Sequence, residues 1–193
     1  MISADDKEEF LGRFGANIAV MGIEVVIGGA QRADSVEKGL AKVDPSCKYI
    51  AIHDAARPCI NIDLVESVFD AAKRTGAAIP AIPVNSTLKR SASGDEIDET
   101  VDRTGLYQAQ KPQVFKAELI QELYANRAGQ QPTDEAQLLE MNEHLVAIVP
   151  GSPLNIKITT QQDLRFAKAC LNAMPATKFD APIHPFADGD LFR

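Results

Sequence analysis

Between residues 23 and 84 the chain alternates short apolar runs with segments of helical period, and this alternation restricts its fold more than any other feature. Ile23–Ile27 is a β-branched run stopped by Gly28-Gly29. Residues 33–43 have helical spacing, with Val36 and Leu40 four apart. Tyr49–Ile52 is the next apolar run. Residues 62–74 then carry Leu64, Val65, Val68, Phe69 and Ala72 on one helical face and end at Thr75-Gly76, a glycine stop. A third run covers residues 77–84, where Pro80 and Pro83 are expected to interrupt pairing. Strands separated by helices predict a mostly parallel sheet with helices on both faces.

The middle of the chain differs. Residues 86–90 and 97–103 read as two polar strands around the Ser/Gly/Asp-rich turn 91–96. A hairpin this polar buries little of its own, so it is expected to project and to need a partner, most simply a second copy of the chain. A helix over residues 5–14 (Phe10, Leu11 and Phe14 on one face) precedes the alternation. After the hairpin the pattern predicts strands at 106–109, 145–149 and 155–159. It also predicts helices near 117–126, 134–141 and 161–172, the last with Leu164, Phe166, Ala167 and Leu171 as apolar candidates. Residues 1–173 read as one domain, with the arm at about 86–104. Residues 174–193, rich in Pro and Asp, read as a loose tail.

The formal net charge is −7, which argues against non-specific nucleic-acid binding. Any anionic ligand must therefore meet a local cationic cluster. Cys47, Cys59 and Cys170 show no CxxC and no metal-ligand spacing, and read as free thiols in a reducing cytoplasm. No apolar stretch approaches the roughly 20 residues of a membrane helix. The N-terminus, MISADDKEEF, lacks the layout of a signal peptide. The expectation is a cytoplasmic protein without membrane contact.

Four constellations carry chemistry. HDAARPC (53–59) follows an apolar run directly, and ligands of open parallel sheets bind beyond the carboxyl ends of strands. Asp54 and Arg57 either face a ligand there or serve as a turn cap and a surface charge. In GGAQRADSVEKGL (28–40), glycine permits close approach to a flat ligand. Asp34 or Ser35 can cap the helix, and Arg32 can contact phosphate or a base edge. TVDR (100–103) places Arg103 on the hairpin, and NIKIT (155–159) places Lys157 between two isoleucines. Thr133-Asp134-Glu135 reads as a helix cap with acids in the first turn. Arg32, Arg57, Arg103 and Lys157 all sit at strand ends or loops of an acidic chain, a pattern that fits recognition of a polyphosphate or sugar phosphate.

GGAQRADSVEKGL, HDAARPC, TVDRTGLYQAQKPQVF, TDEAQLLE and NIKITT followed by QQDL resemble, in order and rough spacing, the 2-C-methyl-D-erythritol 4-phosphate cytidylyltransferase family. The resemblance covers roughly residues 1–171. It implies a three-layer α/β/α, Rossmann-like nucleotide-binding fold and a homodimer whose hairpin arms interlock. It implies transfer of the cytidylyl group of CTP to 2-C-methyl-D-erythritol 4-phosphate, with release of pyrophosphate, in non-mevalonate isoprenoid biosynthesis. It assigns Gly29, Arg32, Ser35 and Ala55 to CTP. Asp54, Arg57, Thr87 and Arg103 go to the alcohol phosphate, with Arg103 reaching the partner's site. Lys157 and Asp54 are implied as catalytic groups, with Mg²⁺ near Asp54. His53 is expected to be structural, because an attacking phosphate is already ionised.

The chain departs from that pattern in three places. Ala30 stands where the family usually has Asp, and Lys111 stands in QKPQ where the family usually reads QTPQ, so Lys111 is expected to add a phosphate contact or alter substrate fit. The family's first strand, with its AAGxGxR phosphate loop, has no counterpart in residues 1–193. The corresponding expectation is an N-terminally incomplete enzyme that binds CTP weakly and turns over poorly. The alternatives are a cytidylyltransferase acting on ribitol phosphate or another polyol phosphate, and a non-catalytic dimerising homologue.

Overall fold

The computed structural model describes residues 1–174, so the expected tail lies, beyond Met174, outside the described residues. Helix α1 (Lys7–Val20) runs further than the expected 5–14. Its chain direction changes only at Gly22, which has a positive φ of 66°. Although Phe10, Leu11 and Phe14 share a face, α1 has no buried residue. Ile23–Ile27 does not form the expected strand. A single parallel bridge joins Ile27 to Ile2, flanked by Ile2 N–H donating to Val26 O at 3.0 Å and Gly28 N–H to Ile2 O at 2.9 Å. A ladder extends only along a neighbour of matching length, and Ile2 is paired alone.

Helix α2 (Arg32–Leu40) follows, then β1 (Tyr49–Ile52), α3 (Ile62–Thr75) and β2 (Ala77–Pro83). Asn61 caps α3 by accepting from Leu64 N–H at 3.0 Å, and Gly76 ends it in the left-handed region at φ 91°. The hairpin is present as β3 (Leu88–Arg90) and β4 (Glu99–Val101), a separate two-stranded sheet in which Arg90 Nε meets Glu99 Oε1 at 2.5 Å. Then come β5 (Tyr107–Ala109), β6 (Gln113–Lys116), α4 (Ala117–Ala125), α5 (Glu135–Glu140), β7 (Ala147–Pro150) and α6 (Gln161–Ala173).

The sheet is mixed. β1, β2 and β7 run in one direction, and β5 and β6 run against them. Both β5 and β6 lie along the same edge of β2, opposite β7, and the chain breaks between them at Gln110-Lys111-Pro112. The prolines of β2 do not remove it from the centre: Pro80 pairs with Val149 and its carbonyl accepts from Gln110 N–H at 2.8 Å. The expected strand at 155–159 is absent. That segment makes one sheet-like contact, Ile158 N–H to Ala56 O at 2.8 Å.

Neighbouring residues of the inner strands point to opposite faces, as pleating requires. Phe115, Ile50 and Ala77 face a core built with Ala33, Val36 and Leu40 of α2, Ile120 and Leu123 of α4, and Leu138 and Leu139 of α5. Val114, Ala78 and Val149 face α3 through Leu64, Val68, Ala71 and Ala72. The result is the three-layer α/β/α arrangement. Burial of a side chain such as the fully enclosed Phe115 contributes on the order of 1.5–3 kcal/mol. Of the apolar candidates on α6, only Ala167 is buried, and Phe166 is 62% exposed.

Candidate active site

The polar turn begins where β1 ends. The pairing Ile52↔Gln113 sets the Gln110–Pro112 break beside it. The turn closes on itself: Arg57 N–H donates to Asp54 O at 2.9 Å, and His53 Nε2 lies 3.0 Å from Arg57 O. His53 also lines the larger of the cavities described below. Arg57 reaches inward, donating from Nη1 to Asn155 O at 2.8 Å and from Nε to Asp54 Oδ2 at 3.4 Å. Fully buried Asn155 donates from Nδ2 to Lys111 O at 2.6 Å. Lys157 Nζ stands 3.3 Å from Asp54 Oδ2. Burial opposes the charge of Asp54, but Lys157, Lys111 and Arg57 outweigh it and hold the carboxyl below its ordinary range.

A second wall comes from the start of α2. Gly29 passes so close that a Cβ there would lie 2.4 Å from Asp34 Cβ, and its N–H donates to Ser35 Oγ at 2.9 Å. The cap of α2 is Gln31 in a reciprocal box with Asp34, not Asp34 or Ser35 alone, and the Ser35 hydroxyl, while accepting from Gly29, donates to Gln31 O at 3.1 Å. Arg127 pins this end from outside. Its Nη2 donates to Asp34 Oδ1 and Glu37 Oε2, each at 2.7 Å.

Two cavities share the groups between these walls. The larger, about 440 Å³, is lined among others by Ser3, Gly29, Arg32, Ser35, Asp54 and Ala55. The smaller, about 220 Å³, is lined among others by Arg32, Asp54, Arg57, Lys111, Thr133 and Lys157. Arg32 and Asp54 belong to both. Thr87 and Arg103 line neither; both are exposed on or beside the hairpin. Lys111 lines the smaller cavity, yet its ammonium is engaged by Glu135.

Glu135, Gln113 and Arg127 escaped the sequence reading. Asp134 does cap α5, accepting from Gln137 N–H at 2.9 Å. Glu135, which looks like one more acid of a first helical turn, has no exposed side-chain surface and takes Arg32 Nη2 at 2.6 Å. Burial lowers the Arg32 pKa, and the Glu135 carboxylate more than reverses this, so the guanidinium stays charged. Gln113 clamps the same helix start, donating to Asp134 Oδ2 at 2.7 Å and accepting from Ala136 N–H at 3.1 Å. The only signal for it was its place in QKPQ.

Among the described residues no group of three His, Cys, Asp or Glu gathers. Asp54 is a lone carboxylate, which suits Mg²⁺ only in company with phosphate oxygens, the usual mode for that ion at phosphate sites. No helix of the described residues is long and apolar enough to cross a membrane.

An α/β/α sheet with two adjoining cavities at the carboxyl ends of its strands, and an arginine and a carboxylate shared between them, is an arrangement suited to nucleotide and phosphate ligands. The family model for 2-C-methyl-D-erythritol 4-phosphate cytidylyltransferase matches residues 1–173. The chain belongs to that family of cytidylyltransferases, which act in isoprenoid biosynthesis. It is 42% identical over 182 residues to the enzyme of that name from Rhodopirellula baltica, covering 89% of this chain and 74% of the relative. It is 40% identical over 150 residues to the one from Solibacter usitatus, covering 75% of this chain and 62% of the relative. Among solved structures, the Thermus thermophilus enzyme matches with a TM-score of 0.70 at 38% identity, over 76% of this chain and 72% of that one. The 4-diphosphocytidyl-2C-methyl-D-erythritol synthase of Anaerococcus prevotii matches with a TM-score of 0.75 at 31% identity, over 89% and 76%.

Proposed function

We propose that the chain joins CTP and 2-C-methyl-D-erythritol 4-phosphate to give 4-diphosphocytidyl-2-C-methyl-D-erythritol and pyrophosphate. The observation that carries this reading is the pair of cavities meeting at Arg32 and Asp54. Two anionic substrates need separate seats that touch at one point, and cations at that point lower the cost of bringing them together.

The larger cavity takes CTP, with Gly29 and Ala55 allowing close approach and Arg32 and Ser35 supplying donors. The smaller takes the alcohol phosphate against Arg57 and Lys157. A phosphate oxygen of the alcohol phosphate forms a bond to the α-phosphorus of CTP. The bond to the bridging oxygen breaks, and pyrophosphate leaves with its electron pair. The attacking oxygen is already anionic, so no general base is required. Lys157 stabilises the charge that builds on the equatorial oxygens, and Asp54 holds Lys157 and Arg57 in place. Asp54 is the residue that would hold Mg²⁺ beside the substrates, where the ion would supply further charge neutralisation. Thr87 and Arg103 serve the site of a second subunit, carried there by the hairpin of a homodimer in the cytoplasm.

Incubating the chain with radiolabelled CTP, Mg²⁺ and each alcohol phosphate in turn tests the reading. The expected result is labelled product and pyrophosphate only with 2-C-methyl-D-erythritol 4-phosphate, formed slowly because residues 1–193 carry no AAGxGxR phosphate loop. Turnover with ribitol 5-phosphate alone would reassign the substrate, and no CTP binding at all would leave a non-catalytic homologue.

A further inference from the structure

Glu135 serves two cations at once. Arg32 Nη2 donates to both of its oxygens, at 2.6 and 2.7 Å, and Lys111 Nζ donates to Oε2. Tyr124 OH completes the shell at 3.2 Å from Oε1, and burial keeps that phenol neutral. The carboxylate has no exposed surface, the lysine side chain is 6% exposed and the arginine side chain is 38% exposed. Burial and the neighbouring Arg32 lower the Lys111 pKa and Glu135 opposes them; with Lys111 protonated the cluster holds two positive charges against one negative charge, and its more exposed arginine end lines both cavities while Lys111 lines only the smaller one. A carboxylate gripping Arg32 alone would fix its geometry and cancel its field together. An ion pair of zero net charge attracts a triphosphate weakly.

We propose that Lys111 is the counter-charge that lets Glu135 position Arg32 without cancelling the attraction of Arg32 for the nucleotide's phosphates. Lys111 is then a positioning and specificity residue that acts through Arg32. This role rests on the reading of the larger cavity as the CTP seat. The surroundings hold the cluster rigid. The Lys111 carbonyl is tied to Asn155, and Gln113, two residues further on, clamps the start of α5 from which Glu135 projects.

The test is calorimetric titration of the whole chain and its variants with CTP and with cytidine, which carries no phosphate. Lys111→Met is expected to weaken CTP at least about fivefold, the size of a lost partly screened charge interaction, and to leave cytidine within about twofold. Lys111→Arg is expected to restore CTP binding to within about threefold, since the cation is kept. Lys111→Thr gives a second reading if the methionine variant does not fold, with the same expected loss. CTP affinity unchanged in a folded Lys111→Met or Lys111→Thr chain overturns the proposal, and so does an equal loss for cytidine, which would mark a packing role. Arg32→Ala separates the two levels. If it leaves CTP binding intact, the reading of the larger cavity fails; if it weakens CTP while the Lys111 variants do not, only the counter-charge role fails.

Discussion

Lys157 Nζ lies 3.3 Å from Asp54 Oδ2, a contact between the segment after β7 and the turn after β1. The lysine side chain is 49% exposed and the aspartate 20%, and both line the smaller cavity, with the cation the more exposed of the two. Asp54 thereby aims Lys157 as well as Arg57, and one carboxylate organises the cationic floor of the smaller cavity.

Lys157→Met is expected to lower kcat about 100-fold or more, the usual scale for removing a preorganised charge from a transition state. The KM for CTP should move far less, because Lys157 does not line the larger cavity. Steady-state kinetics with both substrates varied check this. A rise in the CTP KM that accounts for the whole loss would contradict the placement.

Arg103→Ala is expected to raise the KM for the alcohol phosphate about tenfold, the loss of one charged hydrogen bond, with CTP binding nearly intact. The residue is exposed and lines neither cavity of its own chain, so its effect depends on a second subunit. Mixing Arg103→Ala chains with Lys157→Met chains should recover part of the activity through mixed dimers. No recovery at any ratio speaks against a site shared between subunits.

Gly29→Ala places a methyl group 2.4 Å from Asp34 Cβ, so the start of α2 must move. The expected cost is about 1–3 kcal/mol in urea unfolding, as for other overpacked sites. CTP affinity should fall with it, because Arg32 rides on the same helix turn. A variant as stable as the parent with full CTP affinity would show that α2 yields freely.

Asp163 belongs to the box that caps α6, just after Lys157. Its carboxylate accepts from Thr159 N–H and Thr160 N–H, each at 2.8 Å, and these bonds lower its pKa from 3.8 to about 2. A carboxyl depressed on folding contributes stability that is complete above its unfolded pKa and is lost as pH falls toward the folded value. The gap in urea midpoint between parent and Asp163→Asn should therefore be constant above about pH 5 and close between 3.8 and about 2. A gap that persists unchanged at the acid end would mean that the charge contributes nothing.

Much of the fold was legible along the chain. The helices at α2, α3 and α4 follow from apolar spacing and local stop signals, and the polar hairpin from its composition. Ile23–Ile27 and residues 155–159 have the side chains of strands but lack the ladders, because a ladder belongs to two segments and neither segment has a partner of its own length. The strand Gln113–Lys116 went unread for the opposite reason. It has polar ends and only two apolar residues, yet β1 and β2 pair with it from both sides.

The sequence by itself determined which chemistry was available: Arg32, Asp54, Arg57 and Lys157 sit at breaks in the periodic pattern, where side chains are free to face a ligand. It also determined the layering, since spacing and caps act over a few residues. Only the tertiary structure decided that Arg32 and Asp54 form the common wall of two cavities and that Glu135 turns inward. Burying a carboxylate is tolerable only when cations from distant positions, here Arg32 and Lys111, arrive at the same point. That meeting is a property of the packed sheet and helices, and no local stretch of residues contains it.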